Sequence, residues 1–253
     1  MYFSVSEMRD FYASDIGVIV HGILQSHIND FWPDMHGLRV LGCGYSGPYL
    51  DDLRNRSERC IAMSTPRLGP VETCAKQKNI SFTSSEFRIP LENSSVDRIL
   101  LIHHLEHCDH LRESLQETWR ILKPNGRIMV IVPNRMGVWA RADWSPFGHG
   151  HPFTSSQLCS YLRDNKFVQE RHKSALFVPP MPDSPIMMKS SNLIERMAGN
   201  ILPFVAGVHI VEASKQIYAS IDNSGTGSAV LAKTKALLKG NGSTVAQNLS
   251  AKK

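Results

Sequence analysis

The sequence predicts an α/β fold: a parallel sheet with helices on both faces, preceded by an N-terminal helical cap. Three observations carry this. Short β-rich runs alternate with helical patterns from residue 38 onward, a glycine turn follows the first of those runs directly, and 253 residues at 42% hydrophobic content suffice for a three-layer core.

Residues 5–32 carry apolar positions at helical spacing, among them Ile16, Ile19, Val20, Ile23, Leu24, Ile28 and Phe31, and Pro33 follows where a helix should end. Residues 1–35 are therefore read as the cap. Strands are expected at 38–41, 60–63, 80–83, 96–102 and 127–132, the last two reading most clearly. Between them, 109–122 puts Leu111, Leu115, Trp119 and Leu122 on one stripe, and Lys123-Pro124-Asn125-Gly126 closes that helix in a tight turn. An irregular stretch runs from Asn134 to Pro152. A helix follows at 154–165, with Leu158, Tyr161 and Leu162 on one face, then a strand at 167–172. Residues 178–191, rich in proline, methionine and serine, read as a lid-like insertion. A helix near 193–198 and a strand near 209–218 complete a main domain spanning 36–219, and 220–253 reads as a flexible basic tail.

Composition excludes several classes. No apolar run approaches the roughly 20 residues that span a bilayer, and acidic residues stand at the N-terminus where a secretory signal would be apolar. A soluble chain without a membrane partner is expected. The five cysteines (Cys43, Cys60, Cys74, Cys108, Cys159) are odd in number, scattered and free of any C-x-x-C pair, which suits a reducing, cytoplasmic setting. Of the +5 formal charge, Lys233, Lys235, Lys239, Lys252 and Lys253 against Asp222 place +4 in the tail, so the body offers no basic face for nucleic acid.

The segment RVLGCGYSGPYL sets Gly42-Cys43-Gly44-Tyr45-Ser46-Gly47 after an apolar strand and before a helix, where backbone can approach a nucleotide-type ligand with no Cβ in the way. The same string describes dinucleotide-binding domains and some purely structural turns. Downstream stand Ser95-Val96-Asp97 before the fourth strand, His103-His104-Leu105-Glu106-His107 after it, and Leu122-Lys123-Pro124-Asn125-Gly126-Arg127 leading into the fifth. Together these ordered motifs, over roughly residues 36–170, closely resemble the methyltransferase type 11 family of class I, S-adenosylmethionine-dependent methyltransferases.

The resemblance implies a Rossmann-like, mostly parallel sheet of seven strands, with S-adenosyl-L-methionine lying across the carboxyl ends of the first, second and fourth strands. By position, Gly42, Cys43, Gly44 and Tyr45 would border its methionine part, Met63 and Ser64 the ribose, Ser85, Glu86 and Phe87 the adenine, and Ile102 and His103 the pocket floor. The sequence departs from the family where carboxylates are usual: Val40 in the first strand, Met63 at the end of the second, Ser85 near adenine. Each missing carboxylate removes charge-assisted hydrogen bonds worth roughly 1.5–3 kcal/mol, about ten- to a hundredfold in affinity, part of which Ser64, Ser85, Glu86 or a water can restore.

His103, His104, His107 and His110 with Glu106, Cys108 and Asp109 form a ligand-dense string, but it lacks the H-E-x-x-H order of a zinc site and reads as a strand-to-helix junction with structural capping; no metal is expected. Residues 139–153 gather aromatics, glycines, His149 and His151 after the fifth strand. They are read either as an acceptor pocket with one of these histidines as general base, or as a loop pinned by its aromatics. The function expected is methyl transfer to an acceptor whose identity no motif specifies, nor does any motif set an oligomeric state. The alternatives are a catalytically inactive binding or regulatory relative of the same fold and, third, a nicotinamide-dependent oxidoreductase.

Overall fold

The protein is described by a computed structural model covering residues 3–71, 80–180 and 206–216. Two helices lead the chain, α1 (Val5–Ala13) and α2 (Asp15–Phe31). After them come β1 (Arg39–Gly44), α3 (Gly47–Arg56), β2 (Arg59–Ser64), β3 (Ser81–Thr83), β4 (Val96–Ile102), α4 (Leu111–Ile121), β5 (Leu122–Pro133), α5 (Ser155–Asp164), β6 (Phe167–Ala175) and β7 (Val208–Lys215).

The apolar stripe over 5–32 is two helices because Ser14 interrupts it. Its backbone is extended, its hydroxyl donates to the Phe11 carbonyl at 2.6 Å, and it accepts from the Gly17 amide at 3.2 Å. It thus caps the end of one helix and the start of the next. Gly17 makes the corner possible, since a Cβ there would stand 1.9 Å from the Phe11 carbonyl oxygen. At the start of α1, Ser4 and Glu7 form a reciprocal capping box.

The strands form one sheet in the order β3-β2-β1-β4-β5-β7-β6. The pairs from β3 through β5 are parallel, and β7 runs antiparallel to both β5 and β6. Order reverses between β1 and β4, so a crevice opens at their carboxyl ends. Alternation along the strands supplies both core faces. Val40, Leu100, Ile102, Met129, Ile131 and Ile210 pack beneath α2 and α3, while Leu41, Cys43, Met63, Ile99, Leu101, Val130 and Val211 pack beneath α4 and α5.

The tight turn after α4 lies within β5: Leu122 already pairs with Val96, Asn125 takes φ 61°, and the ladder shifts register before Arg98 meets Arg127. A buried carboxylate ties the far edge together, with Glu212 accepting from Trp32 at 2.9 Å, Arg171 at 2.7 Å and Arg127 at 3.1 Å. No helix among the described residues is long and apolar enough to cross a membrane. Residues 181–191 of the expected lid, the helix near 193–198 and the tail 220–253 lie outside the described residues.

Candidate active site

The glycine turn is shaped by the chain's own crowding. Gly44 sits at φ 76°, where a Cβ would stand 2.3 Å from the Ile102 carbonyl oxygen and 2.6 Å from that of His103. Only glycine lets β1 end this close to β4. Tyr45 then donates its amide to the Ile102 carbonyl at 3.1 Å, and a Cβ on Gly42 would strike Ser46 Oγ at 2.3 Å. That Oγ, beside the start of α3, is fully buried and has no hydrogen-bond partner among the described residues.

The expected cofactor residues divide by where their side chains go. Cys43, Met63 and Ile102 are buried in the core, so only their backbone can border a ligand. Ser64 is buried and shares a hydrogen bond with Thr83 at 3.1 Å. Ser85, Glu86 and Phe87 line an open cleft of about 300 Å³ with Thr65, Arg67 and His107, at the carboxyl ends of β2, β3 and β4. Phe87 is half-exposed and meets the His110 ring edge-on at 5.6 Å. Thr65, Arg67, Glu86 and His107 also line the adjoining space toward Phe3 and His103, which holds only about 20 Å³, room for one water.

Tyr12, absent from the sequence expectations, stands over the glycine turn from α1. Its ring stacks on Tyr45 at 5.5 Å, its hydroxyl lies 2.8 Å from His103 Nε2, and Tyr49 donates to it at 3.0 Å. Burial holds the Tyr12 phenol well above its usual range. Nothing local in the sequence links position 12 to position 103; the only signal was its place on an amphipathic stretch.

The histidine string does not act as side-chain caps. His103 closes β4 in the left-handed region at φ 50°, and neither His104 nor His110 caps the helix it precedes through its side chain. His104 is buried with Nε2 3.3 Å from Ser114 Oγ, and burial lowers its pKa to about 4. Glu106 is fully buried, with Oε1 3.3 Å from His103 Nδ1 but outside hydrogen-bond alignment. Burial pushes its carboxyl up, yet His103 and His107 together hold it below the usual value.

The 139–153 loop is anchored by aromatics: Trp139 is buried, donates to the Val178 carbonyl at 2.7 Å, and packs against Phe147 and Phe11. His149 has Nε2 2.6 Å from the Asp143 carbonyl, and its ring lies tilted against Phe3 at 4.8 Å. His151 is exposed, and its amide donates to the Glu106 carbonyl at 2.7 Å. A cleft of about 590 Å³ lies between this loop and α1, lined by Phe3, Phe11, Trp144, Glu7, Asp10, Asp15 and Asp143 among others.

A seven-stranded sheet of this order, one antiparallel strand beside its last parallel one and a glycine turn at the switch point, defines the class I methyltransferase fold. Residues 40–130 match the family model described as "Methyltransferase domain", in line with the resemblance read from the sequence. No curated protein matches the chain. Among solved structures, it is similar to a SAM-dependent methyltransferase from Thermotoga maritima (16% identity, TM-score 0.57, covering 84% of this chain and 96% of that one). It is similar also to one from Archaeoglobus fulgidus (15%, 0.55, 77% and 94%) and to the [4+2]-cyclase SpnF (16%, 0.52, 77% and 81%).

Proposed function

We propose that the chain is an S-adenosylmethionine-dependent methyltransferase acting on an acceptor still to be identified, with the cofactor across the carboxyl ends of β1, β2 and β4. The observation that carries this is the cleft at the carboxyl ends of β2, β3 and β4, lined by residues of the matched family segment. The nucleoside end fits, since about 300 Å³, an open aromatic face at Phe87, the Glu86 carboxylate and the Thr65 hydroxyl suit adenine and ribose. At the glycine turn the Ser46 Oγ is buried and, among the described residues, has no hydrogen-bond partner. The small space beside His103 means that Phe3 must swing aside before a ligand seats there.

When bound, the cofactor supplies a methyl group already activated by its sulfonium, so placement of the acceptor accounts for much of the rate. The chain's own work is to hold the nucleoside through Thr65, Glu86 and Phe87, keep water out with Tyr12, Tyr45 and Phe3, and orient the acceptor from the 139–153 loop, where His149 or His151 is within the candidate acceptor region.

A second reading, an inactive relative that binds or regulates, is favoured by Val40, Met63 and Ser85 in place of carboxylates. The [4+2]-cyclase neighbour is a reminder that the fold alone does not fix the chemistry. Calorimetric titration with S-adenosylmethionine, S-adenosylhomocysteine and NAD separates the readings. Methyl transfer expects heat with both adenosyl ligands, none with NAD, and about tenfold weaker binding in Glu86→Gln. Silence with both adenosyl ligands at millimolar concentration would remove it.

A further inference from the structure

The cofactor reading leaves His103 underused. A non-glycine residue held in the left-handed region at a strand end is strained, and such strain gathers at working sites. The ring has Tyr12 Oη at 2.8 Å from Nε2 and packs against the Phe147 ring at 4.8 Å, while Glu106 Oε1 faces Nδ1 at 3.3 Å without hydrogen-bond alignment.

The hydroxyl network assigns the protons. Tyr49 donates to the Tyr12 oxygen, so Tyr12 has its own proton to give, and His103 Nε2 is the acceptor within reach. The imidazole proton then sits on Nδ1, facing Glu106. Glu106 is buried yet held ionised by its histidine neighbours, as a carboxylate behind a catalytic imidazole is. Phe3 lines both the space beside His103 and the 590 Å³ cleft, so that one side chain stands between His103 and an opening large enough for an acceptor.

We infer that Tyr12, His103 and Glu106 form a relay that takes up the proton an acceptor loses on methylation, and that the acceptor is therefore an amine or a hydroxyl compound. This rests on the methyl-transfer reading of the site. In the step, the acceptor N–H or O–H bond breaks and its proton passes to the Tyr12 oxygen, while the proton of Tyr12 passes to His103 Nε2. The acceptor atom gains the methyl group, and sulfur keeps the electron pair of the broken S–C bond. The imidazolium formed faces the Glu106 carboxylate. Tyr12 is the residue that touches the acceptor; His103 and Glu106 act through it. The titratable groups around the ring are Tyr12 from α1, Tyr45 and Tyr49 beside Tyr12, and Glu106 and His107 from the turn after β4.

Full-length protein with 15N-labelled histidine tests this by NMR titration, free and with S-adenosylhomocysteine. The His103 ring is expected to carry its proton on Nδ1 with Nε2 accepting from Tyr12, and Glu106→Gln to shift the Nδ1 resonance. Tyr12→Phe should leave affinity for S-adenosylhomocysteine within about threefold, while transfer from S-adenosylmethionine to primary-amine and phenol probes falls at least about tenfold. A proton on Nε2, an Nδ1 resonance unmoved by Glu106→Gln, or transfer undiminished in Tyr12→Phe would each overturn the relay. Failure of the wild type to bind S-adenosylhomocysteine would instead remove the methyl-transfer reading, with the tautomer scored independently.

Discussion

At the scale of single residues, Gly44 shows why a glycine motif is legible before its role is. The string Gly42 to Gly47 identified the turn, but the reason for glycine at 44 is the carbonyl oxygens of Ile102 and His103, which come from a strand nearly sixty residues later. Gly44→Ala is expected to destabilise the fold by about 2 kcal/mol or more, through the positive φ and the collision together, and thermal unfolding measures it. Glu212→Gln keeps the shape but removes the charge that Arg127 and Arg171 share; a loss of about 2 kcal/mol is expected, read by urea denaturation. The departures at Val40 and Met63 were equally readable. Their side chains belong to the two core faces, so in this chain those positions serve packing.

At the scale of elements, the strands were legible where burial on both faces made continuous apolar runs. β4 falls at 96–102 as expected, while β1 and β2 each extend beyond the expected ends through glycine, cysteine or serine that no apolar rule includes. The corner between α1 and α2 was not legible, because Gly17 and Ser14 read as ordinary residues on a helical stripe until Phe11 is seen against them. That corner places Tyr12 over the glycine turn and against His103. Gly17→Ala is expected to push α1 off its seat, since the new Cβ would stand against the Phe11 carbonyl. Faster amide hydrogen exchange over residues 5–13, with β4 and β5 unchanged, is the expected result; equal loss of protection throughout would show that α1 is not a separable layer.

At the scale of the whole molecule, stability should fall with acidity earlier than carboxylates alone would bring about. His104 and His209 are both pushed down to about 4 from 6.5, chiefly by burial. The folded state therefore holds them neutral where the unfolded chain binds protons. Their contribution is complete above pH 6.5 and is lost as pH falls from 6.5 toward 4. Glu106 and Glu212, held below their ordinary 4.5, add a further loss below that value. A melting temperature that declines from pH 6.5 downward is expected, and His209→Asn should flatten the upper part of that decline.

The sheet order and the cleft at its switch point make one central claim, that an adenosyl cofactor lies across the ends of β1, β2 and β4. Hydrogen exchange of the full-length protein with and without S-adenosylhomocysteine tests it most directly. Protection of residues 42–47, 65–67, 85–87 and 103–107 and of α1, with exchange elsewhere unchanged, is the result expected. Unchanged exchange at millimolar ligand, or protection elsewhere with these four segments unaffected, would contradict it.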